Sequence, residues 1–291
     1  MENEKKVLAC VDRSHFSDHV ADHAIWAAQR LKAPLKFLHV LDHHPEIGSG
    51  EDHSGAIGFN AQEVLLNKLS EEDARKAKAA HEGGRLFLNR LRERALAAGI
   101  VAPDMKQRHG ELEETLVGLE AEVELFVWGR RGESSEAAQP KKAQRIGRNV
   151  ENVVRALRTP ILSVTDSFRE PQRTMIAFDG GSLTRRGVEY IAASPLFAGQ
   201  TIHVLMAGKE NPDASKQMAW AESTLAAAGR EVVPLLIPGE VGGVIARTVR
   251  DRNIDLLVMG AYAHSPLRSL LFGCMTNTML CSSSIPTLLM R

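Results

Sequence analysis

The chain repeats itself. The stretch "VLACVDRSHFSDHVADHAIWAA" beginning at Val7 resembles "TMIAFDGGSLTRRGVEYIAAS" beginning at Thr174, and the likeness sets Asp12 against Asp179. Three more pairs follow in the same order: "LKFLHVL" from Leu35 with "QTIHVLM" from Gln200, "VELFVWGRRG" from Val123 with "IDLLVMGAYA" from Ile254, and "LRTPILSV" from Leu157 with "SSIPTLLM" from Ser283. Self-similarity in constant order means two copies of one domain, each obliged to build the same fold. The polar segment "TDSFREPQ", 165–172, is left as the connector, and the domains are set at 1–168 and 172–291.

Within each copy, short continuous apolar runs alternate with segments of helical period. Continuous rather than alternating runs suit parallel strands covered on both faces. Strands are expected near 5–11, 35–41, 103–108, 123–128 and 160–164, and again near 173–178, 201–206, 231–236, 254–259 and 286–290. Helices fill the gaps; Val20, Ala24, Ala27, Ala28 and Leu31 share one face of the first. The second helix differs most between copies, running from about Ala61 to Ala98 in the first and shrinking to "DASKQMAWAESTLAAAG" in the second. The pattern is α/β, with two Rossmann-like doubly wound domains carrying helices on both sheet faces.

In such a sheet ligands bind beyond the carboxyl ends of the strands, where the strand order reverses. That places a crevice between strands one and four of each copy. Asp179 follows strand one of the second copy, and Gly260 ends strand four and opens the loop "GAYAHSPLRSLLFGCMTNT". A glycine-punctuated loop entering a helix near Gly273 aims backbone N–H groups at an anion. His264 and Arg268 are the side chains within it that carry positive potential. No Gly-Lys-Ser/Thr ending of a P-loop occurs.

Composition narrows the partners. Thirty-six Lys and Arg balance 36 Asp and Glu among 291 residues, so no net field draws nucleic acid or an anionic membrane. Trp26, Trp128 and Trp220 fall in separate elements rather than interleaving with basic residues. No stretch nears the ~20 apolar residues of a membrane span, and the charged start "MENEKKVLAC" lacks the apolar core of a signal peptide. Cys10, Cys274 and Cys281 are too few and too scattered for a disulfide framework or a zinc knuckle. A cytoplasmic protein is expected, whose anion site is local.

The early Asp after strand one, the "HV" of strand two and the glycine loop after strand four resemble the universal stress protein family, in tandem over nearly the whole chain. The resemblance implies a five-stranded parallel sheet of order 3-2-1-4-5 and pairing of domains through the last strand. In the family's nucleotide-binding branch it also implies ATP at a Gly-x2-Gly-x9-Gly-Ser/Thr loop. Carried onto the second copy, it assigns Asp179 and Val204 to the adenine side. The phosphate turn receives Gly260, Ala263, Gly273, Cys274, Met275 and Thr276, with Ala263 in place of the second glycine and Cys274 in place of a hydroxyl. Thr276 offers a hydroxyl two residues on. The first copy keeps Asp12, Gly129 and Gly132, but "ESSEAAQPKKAQRI" puts fourteen residues before Gly147, and Arg148 and Val150 follow where hydroxyls belong. Lys141, Lys142 and Arg145 add charge without a tight backbone cradle.

Other residues invite simpler readings. His15, His19 and His23 form an i, i+4, i+8 stripe about 100° from the apolar face, read as solvated or partner-facing. His39 and His203, at matching places in strand two, are read as core residues. No nucleophile elbow, Walker lysine, acidic pair or positioned general base is evident. The expected function is a non-catalytic regulatory or protective stress protein binding ATP or a related adenine nucleotide in its second domain. A nucleotide-free dimerisation module is the alternative, and a slow ATPase or nucleotidyl transferase the third. Apolar last strands at sheet edges predict pairing between the domains, a homodimer, or both.

Overall fold

The computed structural model describes residues 5–41, 61–130, 148–209, 211–261 and 283–291. The first domain runs β1 Lys6–Cys10, α1 Ser17–Leu31, β2 Leu35–Leu41, α2 Ala61–Ala97, β3 Asp104–His109, α3 Leu112–Leu119, β4 Val123–Gly129, α4 Arg148–Ala156 and β5 Ile161–Val164. The second runs β6 Arg173–Ala177, α5 Ser182–Ala193, β7 Thr201–Ala207, α6 Pro212–Ala227, β8 Glu231–Ile237, α7 Val241–Asp251, β9 Leu256–Gly260 and β10 Thr287–Met290. Every strand falls within two residues of its expected place. β9 starts late because Asp255 turns its carboxylate back to accept the Gln172 and Arg173 amides at 3.1 and 3.0 Å.

Strand order is β3-β2-β1-β4-β5-β10-β9-β6-β7-β8, so each domain has the 3-2-1-4-5 order and the two merge into one ten-stranded sheet. All pairings within a domain are parallel. The seam, β5 against β10, is antiparallel, with Leu288 opposite Leu162 and Leu289 opposite Ile161. The two expected sticky edges therefore satisfy each other within the chain. The outer edges are β3, whose sequence DMKQRH is charged, and β8, whose Pro234 removes a ladder donor; both devices blunt an edge against further strands.

Because strand side chains alternate faces, the sheet has two cores, and each spans both domains. Val7, Ala9, Leu162, Ile176 and Leu288 face α1, α2, α5 and α6, which contribute Val20, Leu91, Val188 and Leu225. Leu8, Phe126, Ile161, Met175 and Leu289 face α3, α4 and α7, which contribute Leu116, Val153 and Ile245. Arginines tie the seam on each side. Arg130, just past β4, donates to the Ser283 and Ile285 carbonyls ahead of β10. Arg291, just past β10, donates to the Arg155 and Leu157 carbonyls ahead of β5.

One expectation fails. His23 is not solvated: it is fully buried, its Nδ1–H donates to the His19 carbonyl at 2.7 Å, and the connector's Phe168 meets its ring edge-on at 4.8 Å. The connector, packed back over α1 and held there by Arg30 to Glu170, supplies a cover that helical period could not show. His39 and His203 are core residues as read, 2% and 6% exposed. Burial, and then the Arg252 charge, lower the His203 pKa. No described helix is long and apolar enough to cross a membrane.

Candidate nucleotide crevice

The strand order reverses between β6 and β9, which pair directly, Ile176 opposite Val258. Their carboxyl ends therefore lie side by side. Beyond β6 the chain passes buried Phe178 to exposed Asp179. Asp179 Oδ1 accepts the Gly181 amide at 2.9 Å and the Thr184 hydroxyl at 2.7 Å, a local turn that aims the chain into α5. Gly181 caps α5 without a side chain, so the Ser182 and Leu183 amides have no acceptor among the described residues, and a helix start with free donors suits an anion. Beyond β9, Gly260 abuts this same turn: a Cβ there would lie 3.3 Å from Leu183 Cβ. Asp179 and Gly260 thus form the two lips expected of the crevice.

The first domain repeats the turn. Asp12 Oδ1 accepts the Ser14 amide at 3.0 Å, and the Ser17 hydroxyl donates to the Asp12 and Ser14 carbonyls. Both aspartates therefore shape the entry to a helix as well as standing at a crevice. Burial, and then the Asp12 charge, push the Cys10 thiol far up, which keeps it protonated and inert.

Val204 is fully buried in mid-β7, between Ile176 and Pro234, as part of the core under α5 and α6. Ala263, His264, Arg268, Gly273, Cys274, Met275 and Thr276 lie outside the described residues, as do Gly132, Lys141, Lys142, Arg145 and Gly147 of the first copy. Arg148 and Val150 lie in the first turn of α4. Among the described residues no cluster of three or more His, Cys, Asp or Glu is arranged to hold a metal ion.

Sequence reasoning missed the side chains packed around the Asp179 lip. Gly180 has φ +75°, and a Cβ on it would overlap the carboxamide of Gln217 from α6. Arg185 Nε donates to the Gly180 carbonyl at 3.0 Å, and its guanidinium lies 4.4 Å from the Trp220 ring centroid, which in turn stacks at 6.2 Å on Phe178. The contrast "DGGS" against "DRSH" at the same turn was the one available signal.

Two doubly wound domains with matching strand-end aspartates at their order reversals define a tandem α/β protein with a crevice at each reversal. The chain belongs to the universal stress protein family, whose model matches residues 4–165 and 171–291. A universal stress protein of Synechocystis, Slr1230, is 31% identical over 290 residues, covering 99% of this chain and all of that one. The fold is also that of a universal stress protein from Archaeoglobus fulgidus, at a TM-score of 0.68 and 15% identity over 98% of this chain and 96% of that chain. PA1789 of Pseudomonas aeruginosa shares it at 0.60 and 17%, over 99% and 92%.

Proposed function

We propose that the protein is a cytoplasmic, non-catalytic stress-response module that binds ATP or a related adenine nucleotide in the crevice of its second domain. The observation that carries this reading is the juxtaposition of Asp179 and Gly260 at the carboxyl ends of adjacent β6 and β9, with the donor-rich start of α5 between them. Asp179 stands at the base side, and the α5 amides with the loop after Gly260 stand at the phosphate side. Bound nucleotide biases that loop and supplies a switch without turnover. The non-catalytic reading is supported by the structural use of the polar groups at this lip, Asp179 Oδ1 accepting within its own turn and Arg185 donating to the Gly180 carbonyl.

The test is to denature freshly purified protein, analyse what is released by mass spectrometry, and titrate ATP into wild type and Gly273→Trp. Adenine nucleotide in the extract, with binding abolished by the substitution, supports the reading. A protein that is empty and ignores millimolar ATP overturns it and leaves a module acting through protein contacts alone.

A further inference from the structure

A row of polar side chains crosses the seam on one face of the sheet. In register, Trp128 of β4 stands beside Ser163 of β5, and Ser163 stands opposite Thr287 of β10. Register partners share a face. That face is the one under α3, α4 and α7, because Trp128 belongs to its core, as do Ile161 and Leu289, two residues along from Ser163 and Thr287. The row is closed to solvent: Ser163 is 1% exposed, Thr287 0% and Trp128 5%. Yet the Ser163 and Thr287 hydroxyls and the Trp128 indole N–H have no hydrogen-bond partner among the described residues.

A buried hydroxyl left unmet is destabilising, and here two of them face each other across the seam. Side chains directly opposite in an antiparallel pair have Cβ atoms about 4.5–5.5 Å apart. One water, with hydrogen bonds of about 2.8 Å, spans that gap and reaches both hydroxyls. Each hydroxyl both donates and accepts, so the water can donate to one and accept from the other. Polar groups that lack protein partners inside an apolar core are the usual holders of a buried water.

We propose that Ser163 and Thr287 hold one ordered water between the two domains, each domain supplying one hydroxyl. The repeat makes this site particular to unlike edges. It aligns Ile161 with Thr287 and Ser163 with Leu289. Two first-domain edges paired in the same register would set each Ser163 against Ile161, and two second-domain edges would set each Thr287 against Leu289. A first-domain edge against a second-domain edge brings the hydroxyls together and leaves Ile161 against Leu289.

The experiment is a crystal structure of the full chain at a resolution that shows waters, together with thermal unfolding of wild type, Ser163→Ala, Thr287→Val and the double variant. Density for a water within about 3.2 Å of both hydroxyls is expected. Either single substitution strands the water on one hydroxyl and should lower the unfolding midpoint by about 2–4 °C. The double variant should be no less stable than the weaker single, because the water leaves with both hydroxyls and the losses do not add. A direct contact between the hydroxyls, or a dry gap between them in the density, overturns the proposal. So does a single substitution that raises the midpoint, or a double variant whose loss is the sum of the two.

Discussion

His23 makes the stability of this protein depend on pH in a defined window. Its ring is fully buried, Nδ1–H is committed to the His19 carbonyl, and Nε2, beneath the Phe168 edge, has no partner among the described residues. Protonation would place a charge and an unmet N–H donor in that pocket. Burial, only partly offset by the His19 hydrogen bond and the Asp22 charge, accordingly pushes its pKa down to about 4. In the unfolded chain a histidine titrates near 6.5. The unfolded state thus takes up a proton first as pH falls, so stability is full above pH 6.5 and declines down to about pH 4. The whole shift is worth about 3 kcal/mol, and about 2 kcal/mol of it is lost between pH 7 and pH 5. Urea denaturation of wild type and His23→Leu at pH 7, 6 and 5 isolates this contribution, because the other titrating groups are common to both. The gap between the two proteins should change by about 2 kcal/mol in favour of the variant on going to pH 5. If both lose stability in parallel, His23 is hydrated or charged in the native protein and the reasoning fails.

Two glycines that touch glutamines should respond to alanine with opposite signs. Gly84 is inside α2, where glycine costs about 1 kcal/mol relative to alanine; the nearest atoms to its new Cβ are those of the flexible Gln107 tip, at 2.8 Å, so Gly84→Ala should stabilise by about 0.5–1 kcal/mol in thermal or urea unfolding. Gly180→Ala should destabilise by about 1–2 kcal/mol, because φ is +75° and Gln217 occupies the space. Leu91→Ala empties a fully buried site under the sheet and should cost about 2–5 kcal/mol in the same assay.

Most of the fold was legible because its strands are buried on both faces. Runs such as VLAC, FLHV and LLVM announce themselves without alternation, and the repeat doubled every signal. The crevice lips, Asp179 and Gly260, were legible for the same reason. What was not legible depends on residues far apart in sequence. Helical period put His23 off the apolar stripe of α1, and the Phe168 ring that returns against it comes from the connector. Nothing local to Gln217 or Gly83 reveals that each faces the residue after a strand-end aspartate. Val204 is assigned to the adenine side by resemblance, and that its side chain packs in the core beneath α5 and α6 is likewise a matter of tertiary packing.

The seam illustrates the same limit and gives it a test. Apolar strands Ile161–Val164 and Thr287–Met290 predict pairing whether the partner lies in the same chain or in another, and the antiparallel seam makes the same local contacts in either case. The connector decides. Residues 165–172 join β5 directly to β6, one strand pairing away from β9 and two from β10, so the second domain is presented to the first at an effective concentration of about millimolar. Trans pairing through this seam has to compete with that, and the Arg130 and Arg291 contacts that accompany the seam form in the same step. At micromolar protein the β5–β10 edge should therefore be closed within one chain of 31.9 kDa. Sedimentation of wild type beside a variant with Ser163→Pro, which removes a donor facing β10 and adds strain, distinguishes the cases. A loss of thermal stability without change of sedimenting mass is the expected result. Conversion of a wild-type dimer into monomer by that substitution would mean that the seam joins two chains, and the effective-concentration argument would be wrong.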